Sequence, residues 1–355
     1  MKTHKFSQLI FAIVILVLIL SACGSLGATE EPVTLIYRDW EGAMPQAVLD
    51  AFTAEYGIQV EYLYYDAQED AIADMQAGEV YDVVVLENQL IPGVVAEGML
   101  AEINYHNVPN FKNISANFRD LIYDPGNRHS VPYSWGTTGL AVATQALDAP
   151  VNGWADIWEA GNKGKFVGWS LERYMVGMAL KSLGYSLNSE DPKELEEALK
   201  RLIALKPNLI LVDWEAAVTA THIINGEAIY GLGQADDVAA GETEQVEIEY
   251  ILPEEGAILW GDNWTIPANS PHKEEAELLI NFFLRPEIAA QIINETYYWL
   301  PNDAALPLVK PELRDNTAIF PSTQAIQTAE IMLPLSPQGE ALHQEIWNRF
   351  LAAEQ

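Results

Sequence analysis

From residue 33 onward, the hydrophobic and polar positions of the chain switch repeatedly between two periods. Residues 33–37 are a short run rich in β-forming side chains, and residues 45–56 then place Val48, Phe52 and Tyr56 on one helical stripe. Pro45 suits the first turn of that helix, and Gly57 suits its C-terminal cap. A strand over 59–64, a helix over 67–76 stopped at Gly78, and a strand over 81–86 follow. The last of these, Tyr81-Asp82-Val83-Val84-Val85-Leu86, is nearly unbroken apolar sequence, the pattern of a strand buried on both faces. This alternation implies a parallel sheet with right-handed crossovers. Ligands of such sheets bind beyond the carboxyl ends of the strands. That places Trp40 and Glu41, after the first strand, and Glu87, Asn88 and Gln89, after the third, where a site is expected.

The middle of the chain reads as a second α/β unit. Residues 139–144 are β-rich; 154–160, 174–183 and 192–205 have helical periodicity; 228–232 and 246–252 read as strands. The last third has a strand-like run at 258–267, helices at 273–284 and 286–296, and an amphipathic helix at 339–352. There is no internal repeat and no low-complexity tract.

A different pattern precedes residue 33. Lys2 and Lys5 lead into an unbroken apolar run over residues 9–20, closed by Leu20-Ser21-Ala22-Cys23. A run of this length is too short to cross roughly 30 Å of hydrocarbon as a helix. It reads as a lipoprotein signal peptide over 1–22, with Cys23 as the lipidated first residue of the mature chain. Cys23 is the only cysteine, so no disulfide can form within the chain. Residues 23–32 then form a lipid-anchored flexible stalk, which places the body on the outer face of a bacterial cytoplasmic membrane.

Composition narrows the function further. With 355 residues, 49% of them hydrophobic and 20% charged, the chain is long enough for two packed domains and too apolar to be disordered. Asp and Glu number 51 against 19 Lys and Arg, a net charge of -32 that becomes -34 once a leader carrying Lys2 and Lys5 is removed. Such a field repels nucleic acid and attracts cations. The six histidines (His4, His106, His129, His222, His272 and His343) are scattered without zinc-ligand spacing, so neither a metal nor a cofactor is expected. No Gly-x-Ser-x-Gly elbow or phosphate-binding glycine loop is present. The enzyme class left to consider is a secreted glycosidase using two carboxylates and an aromatic platform. Turnover would separate it from a binding protein, which only saturates.

Several stretches together carry a family resemblance. They are Asp39-Trp40, Tyr81-Asp82-Val83-Val84-Val85, Val131-Pro132-Tyr133-Ser134-Trp135-Gly136, Trp154-Ala155-Asp156-Ile157-Trp158, Leu183-Gly184-Tyr185-Ser186, Glu255-Gly256-Ala257-Ile258-Leu259-Trp260-Gly261-Asp262, Ile266-Pro267-Ala268-Asn269, Asn281-Phe282-Phe283-Leu284-Arg285-Pro286 and Pro301-Asn302. In this order and spacing the chain resembles the extracytoplasmic solute-binding proteins of ABC transporters, and among them the spermidine/putrescine-binding group. The resemblance implies an α/β, two-lobed periplasmic-binding-protein fold of type II-like form, each lobe a mixed, mainly parallel sheet flanked by helices. Lobe 1 would comprise residues 33–136 and 257–300, and lobe 2 residues 137–256 and 301–355. A polyamine or related cationic solute would bind in the cleft, lobe closure would be a hinge motion, and the loaded monomer would meet the permease subunits of an ABC importer.

Members of that group hold polyammonium chains between aromatic faces and carboxylates. Trp40, Trp260, Asp262 and Tyr298 match the ligand-contacting positions. Elsewhere the chain departs: Ala43, Glu87, Gln89, Leu171, Tyr174, Gln234 and Met332 stand where the group has other residues. Glu87, Glu172, Asp236 and Asp237 are candidates to restore negative charge. The expected ligand set is therefore Trp40, Glu87, Gln89, Glu172, Gln234, Trp260, Asp262 and Tyr298, with Asp262 anchoring one ammonium and Glu87 or Glu172 another. A different amine-containing solute is the alternative. The adjacent Tyr297 and Tyr298 occur as a pair in ferric-iron binding relatives, but no His or carboxylate cluster accompanies them.

Overall fold

The computed structural model describes residues 33–65, 67–147, 150–158, 165–244 and 246–353; the leader over 1–22, Cys23 and the stalk lie outside the described residues. Strand β1 (Thr34–Trp40) lies between β2 (Gln59–Tyr65) and β3 (Val83–Glu87) and runs parallel to both. Helices Gln46–Tyr56 and Gln68–Ala77 form the crossovers and end at Gly57 (φ 71°) and Gly78 (φ 96°), a left-handed conformation that glycine takes without a Cβ clash. Pro45 is the N-cap residue and not part of the first turn.

Beyond β3 the sheet becomes mixed, the form that the resemblance implied. Strand β9 (Ile258–Thr265) adds antiparallel to β3, and β4 (Ser130–Val142) adds antiparallel to β9. The sequence pattern locates a β-rich segment only from Gly139, whereas β4 begins at Ser130. Pro132 is accommodated because the register against β9 shifts between Pro132 and Trp135. The far half of β4 pairs antiparallel with β7 (Tyr230–Gly233) and β8 (Glu249–Ile251). Strand β5 (Phe166–Trp169) is parallel to both β7 and β6 (Leu209–Val212). The full order is β2-β1-β3-β9-β4-β7-β5-β6, with β8 beside β4 and the short β10 (Glu330–Ile331) beside β9.

Two principal cores form on this frame. The first packs Tyr37, Phe52, Val85, Trp135, Trp264 and Phe283; the second packs Leu140, Trp154, Trp169, Met178, Leu199, Leu232 and Trp347. Their large aromatic side chains, each removing roughly 150–250 Å² from water, dominate the packing. Strands β4 and β9 serve both cores. Along β9, Ile258 and Trp260 enter the second core and Leu259 the first, because neighbouring side chains of a strand point to opposite faces; Trp264, near the other end of the strand, packs in the first. The third passage between cores lies later than the boundary after residue 300 read from the sequence. Ala305, Val309, Leu313 and Ile319 still pack into the first core, and Met332 is in the second. Helix Pro337–Ala352 then closes the second lobe with Ile346, Trp347 and Phe350.

Candidate functional site

The first lobe brings two strand ends against the middle of a third strand. β1 finishes at Trp40, β3 finishes at Glu87, and Asp262 on β9 is the direct antiparallel partner of Glu87. Cross-strand partners have Cβ atoms about 4.5–5.5 Å apart, so two carboxylates share one edge. Gln68, at the start of the helix between β2 and β3 and 2% exposed, ties them together: its Oε1 accepts from the Glu87 backbone N–H at 2.7 Å and its Nε2 donates to Asp262 Oδ1 at 3.1 Å. Asp262 also accepts from Trp40 Nε1 at 3.4 Å and Ser134 Oγ at 3.3 Å. Glu87 accepts from the Tyr174 hydroxyl at 3.3 Å and from the Gln89 side-chain amide.

These carboxyls resist ionisation. Burial pushes Glu87 up to about 8, and the charge of Asp262 adds to the effect. Burial likewise pushes Asp262 up to about 6, against the stabilising donors Trp40, Gln68 and Ser134. Beneath them Asp39, fully buried and hydrogen-bonded by the Tyr37 hydroxyl and the Trp40 N–H, is raised to about 8, again by burial first. Burial thus holds back ionisation in a low-dielectric floor, and a bound cation would favour the charged carboxylates.

A cavity of about 120 Å³ lies over this floor, lined from both lobes. Trp40 rises from the end of β1 and Trp260 from within β9, and Tyr298 meets Trp260 edge-on with ring centroids 6.2 Å apart. The second lobe contributes Leu171, Tyr174, Trp214 and Gln234. Trp214 reaches across to Trp40 at 5.6 Å and 65°, and it continues through Trp169 to Tyr174 as a chain of edge contacts. The Gln234 amide donates to Thr138 Oγ1 at 3.2 Å. Gly136 makes room for Trp260: a Cβ there would lie 2.3 Å from the indole.

Six of the sequence-expected residues meet in this cavity: Trp40, Glu87, Gln234, Trp260, Asp262 and Tyr298. Gln89 is outside the lining and acts on Glu87. Glu172 is a correction. It opens helix Glu172–Lys181 but lies outside the lining, with Oε1 3.7 Å from His343 Nδ1 on the C-terminal helix. On a helix, consecutive residues point about 100° apart, so Tyr174 faces the cavity while Glu172 does not. Asp237 accepts from the Ala220 and Gln234 backbone N–H groups, and the Asp236 side chain lies outside what the structure describes. Sequence reasoning passed over Gln68, Glu69 and Trp214. Trp214 was discoverable, because it follows the carboxyl end of β6, a strand that the apolar run Leu209–Val212 marks.

A family model described as bacterial extracellular solute-binding protein matches residues 47–321. The chain belongs to the bacterial extracellular solute-binding protein family. This solute-binding protein is 34% identical over 300 residues to the spermidine/putrescine-binding periplasmic protein of Escherichia coli, covering 84% of this chain and 86% of the relative. It is 32% identical over 322 residues to the protein of the same name from Salmonella typhimurium, covering 90% and 92%. Among solved structures, the spermidine/putrescine ABC transporter substrate-binding protein PotD of Streptococcus pneumoniae superposes with a TM-score of 0.81 at 29% identity, covering 90% of this chain and 98% of that one. The fold is therefore the two-lobed periplasmic-binding-protein fold, and the solute-binding protein is an extracytoplasmic binder, not an enzyme. Among the described residues no helix is long and apolar enough to cross a membrane.

Proposed function

We propose that this solute-binding protein captures an amine of the polyamine class in the interlobe cavity and delivers it to the permease of an ABC importer. The observation that carries the reading is the half-buried Glu87 paired with the buried Asp262 beneath aromatic walls. An ammonium that sheds its water there regains charge-assisted hydrogen bonds from the carboxylates and cation–π attraction from Trp40, Trp260 and Tyr298. The names of the relatives support the same ligand class. Acylation of Cys23, by the leader argument, tethers the body to the membrane; incorporation of labelled fatty acid that disappears in Cys23→Ser tests this.

The decisive experiment is titration calorimetry on protein unfolded and refolded to strip bound ligand, with putrescine and spermidine as ligands and glycine betaine as the comparison. One-to-one binding of an amine is expected. Asp262→Asn is expected to weaken it about a hundredfold, the scale of a lost buried charge partner, with the circular dichroism spectrum unchanged. An Asp262→Asn protein that binds as tightly as the parent would refute the assignment.

A further inference from the structure

The cavity's charge is distributed unevenly. Every acidic side chain in its lining, Glu69, Glu87 and Asp262, belongs to the first lobe. Glu87 and Asp262 are cross-strand partners and Glu69 follows Gln68 on the adjoining helix, so the three converge on one end. The second-lobe wall of Leu171, Tyr174, Trp214 and Gln234 holds no carboxylate among the described residues. Of its polar atoms, the Tyr174 hydroxyl is engaged with Glu87 and the Gln234 amide N–H with Thr138.

Behind that wall the buried Asp237 is occupied by the Ala220 and Gln234 backbone N–H groups. Arg173 donates to Asn188 Oδ1 at 3.0 Å and to the Leu333 carbonyl at 3.1 Å, and it feels the charges of Glu340, Glu172 and Glu87. Asp213 and Glu215, on either side of Trp214, are exposed and outside the lining, where water screens them.

We propose that the site recognises a single cationic head, held between Glu87 and Asp262, and takes the remainder of its ligand as an uncharged chain against the aromatic second-lobe wall. A second ammonium pressed on that wall would lose hydration without gaining a counter-charge. The substrate class is accordingly short amines with one recognised charge: an amine with a neutral tail, or a diamine short enough to leave its second ammonium at the wet mouth. Longer polyamines gain nothing from their additional charges. This inference rests on the amine reading above and specifies it.

Calorimetry with putrescine, N-acetylputrescine, spermidine and spermine tests it. N-acetylputrescine, with one charge and a neutral far end, is expected to bind within about threefold of putrescine, and spermidine no more tightly than putrescine. Affinity that climbs tenfold or more with each added charge overturns the single-head proposal and leaves the amine reading standing. No binding by any of the four overturns both. A gain-of-function variant gives an independent test. Leu171→Asp places a carboxylate on the second-lobe wall at a position already 38% exposed, and it is expected to raise the ratio of spermidine to N-acetylputrescine affinity roughly tenfold. An unchanged ratio in a folded variant counts against the proposal.

Discussion

Ligand capture by this protein should release protons. In the ligand-free site the Glu87 carboxyl is raised to about 8, so at pH 7 it is roughly nine-tenths protonated. A bound ammonium favours the ionised form and drives the proton off. The sign follows: the acid's value is high without ligand and lower with it, so affinity rises with pH up to about 8 and then levels. Below that, each pH unit costs about 1.4 kcal/mol, or tenfold in Kd. Asp262, at about 6, adds its own loss only toward pH 6. Titrating putrescine at pH 7 in phosphate and in Tris, whose ionisation enthalpies differ widely, gives the proton count from the change in observed heat. Roughly 0.9 proton released per ligand is expected, falling close to zero in Glu87→Gln. Heats independent of buffer in the wild type would refute the reasoning.

Other consequences concern stability and packing. Glu87 and Asp39 both rise to about 8 on folding, from ordinary values of 4.5 and 3.8. Their contribution is therefore fully present below about pH 4 and lost as pH climbs toward 8. The ligand-free Tm is expected to fall by several degrees between pH 5.5 and 8, with a shallower fall in Glu87→Gln, read by calorimetric scanning. Gln68→Leu strips partners from the Glu87 N–H and Asp262 Oδ1 together, and urea unfolding should register a loss of about 2–4 kcal/mol. Gly136→Ala drives a methyl into the Trp260 indole; a loss of about 1–3 kcal/mol is expected together with weaker amine binding, and a variant with unchanged Trp fluorescence and affinity would contradict the close approach.

How much of this was readable in one dimension depends on the range of the cause. The first three strands, their two crossover helices and the glycines that stop them follow from local periodicity and backbone preference. Helices Pro192–Leu205 and Pro286–Thr296 likewise match their sequence bounds. Trp40 and Glu87 were findable because a parallel strand order places ligands at strand carboxyl ends. Asp262 and Tyr298 were reached through the resemblance, since nothing in their local pattern distinguishes a cleft residue from a buried one.

Tertiary structure alone decided the rest. The insertion of β9 between β3 and β4 joins segments more than 100 residues apart, and only that pairing sets Asp262 against Glu87. Their raised carboxyl values arise from shared burial, which no local pattern encodes. Helix phase turned Glu172 away toward His343 and Tyr174 inward. A loop after a short strand carried Trp214 over to Trp40. Residue types and acidity are properties of the chain read in order. Which charges meet, and on which wall of the cavity they stand, depends on contacts between residues distant in sequence, and those exist only once the two cores have packed on β4 and β9.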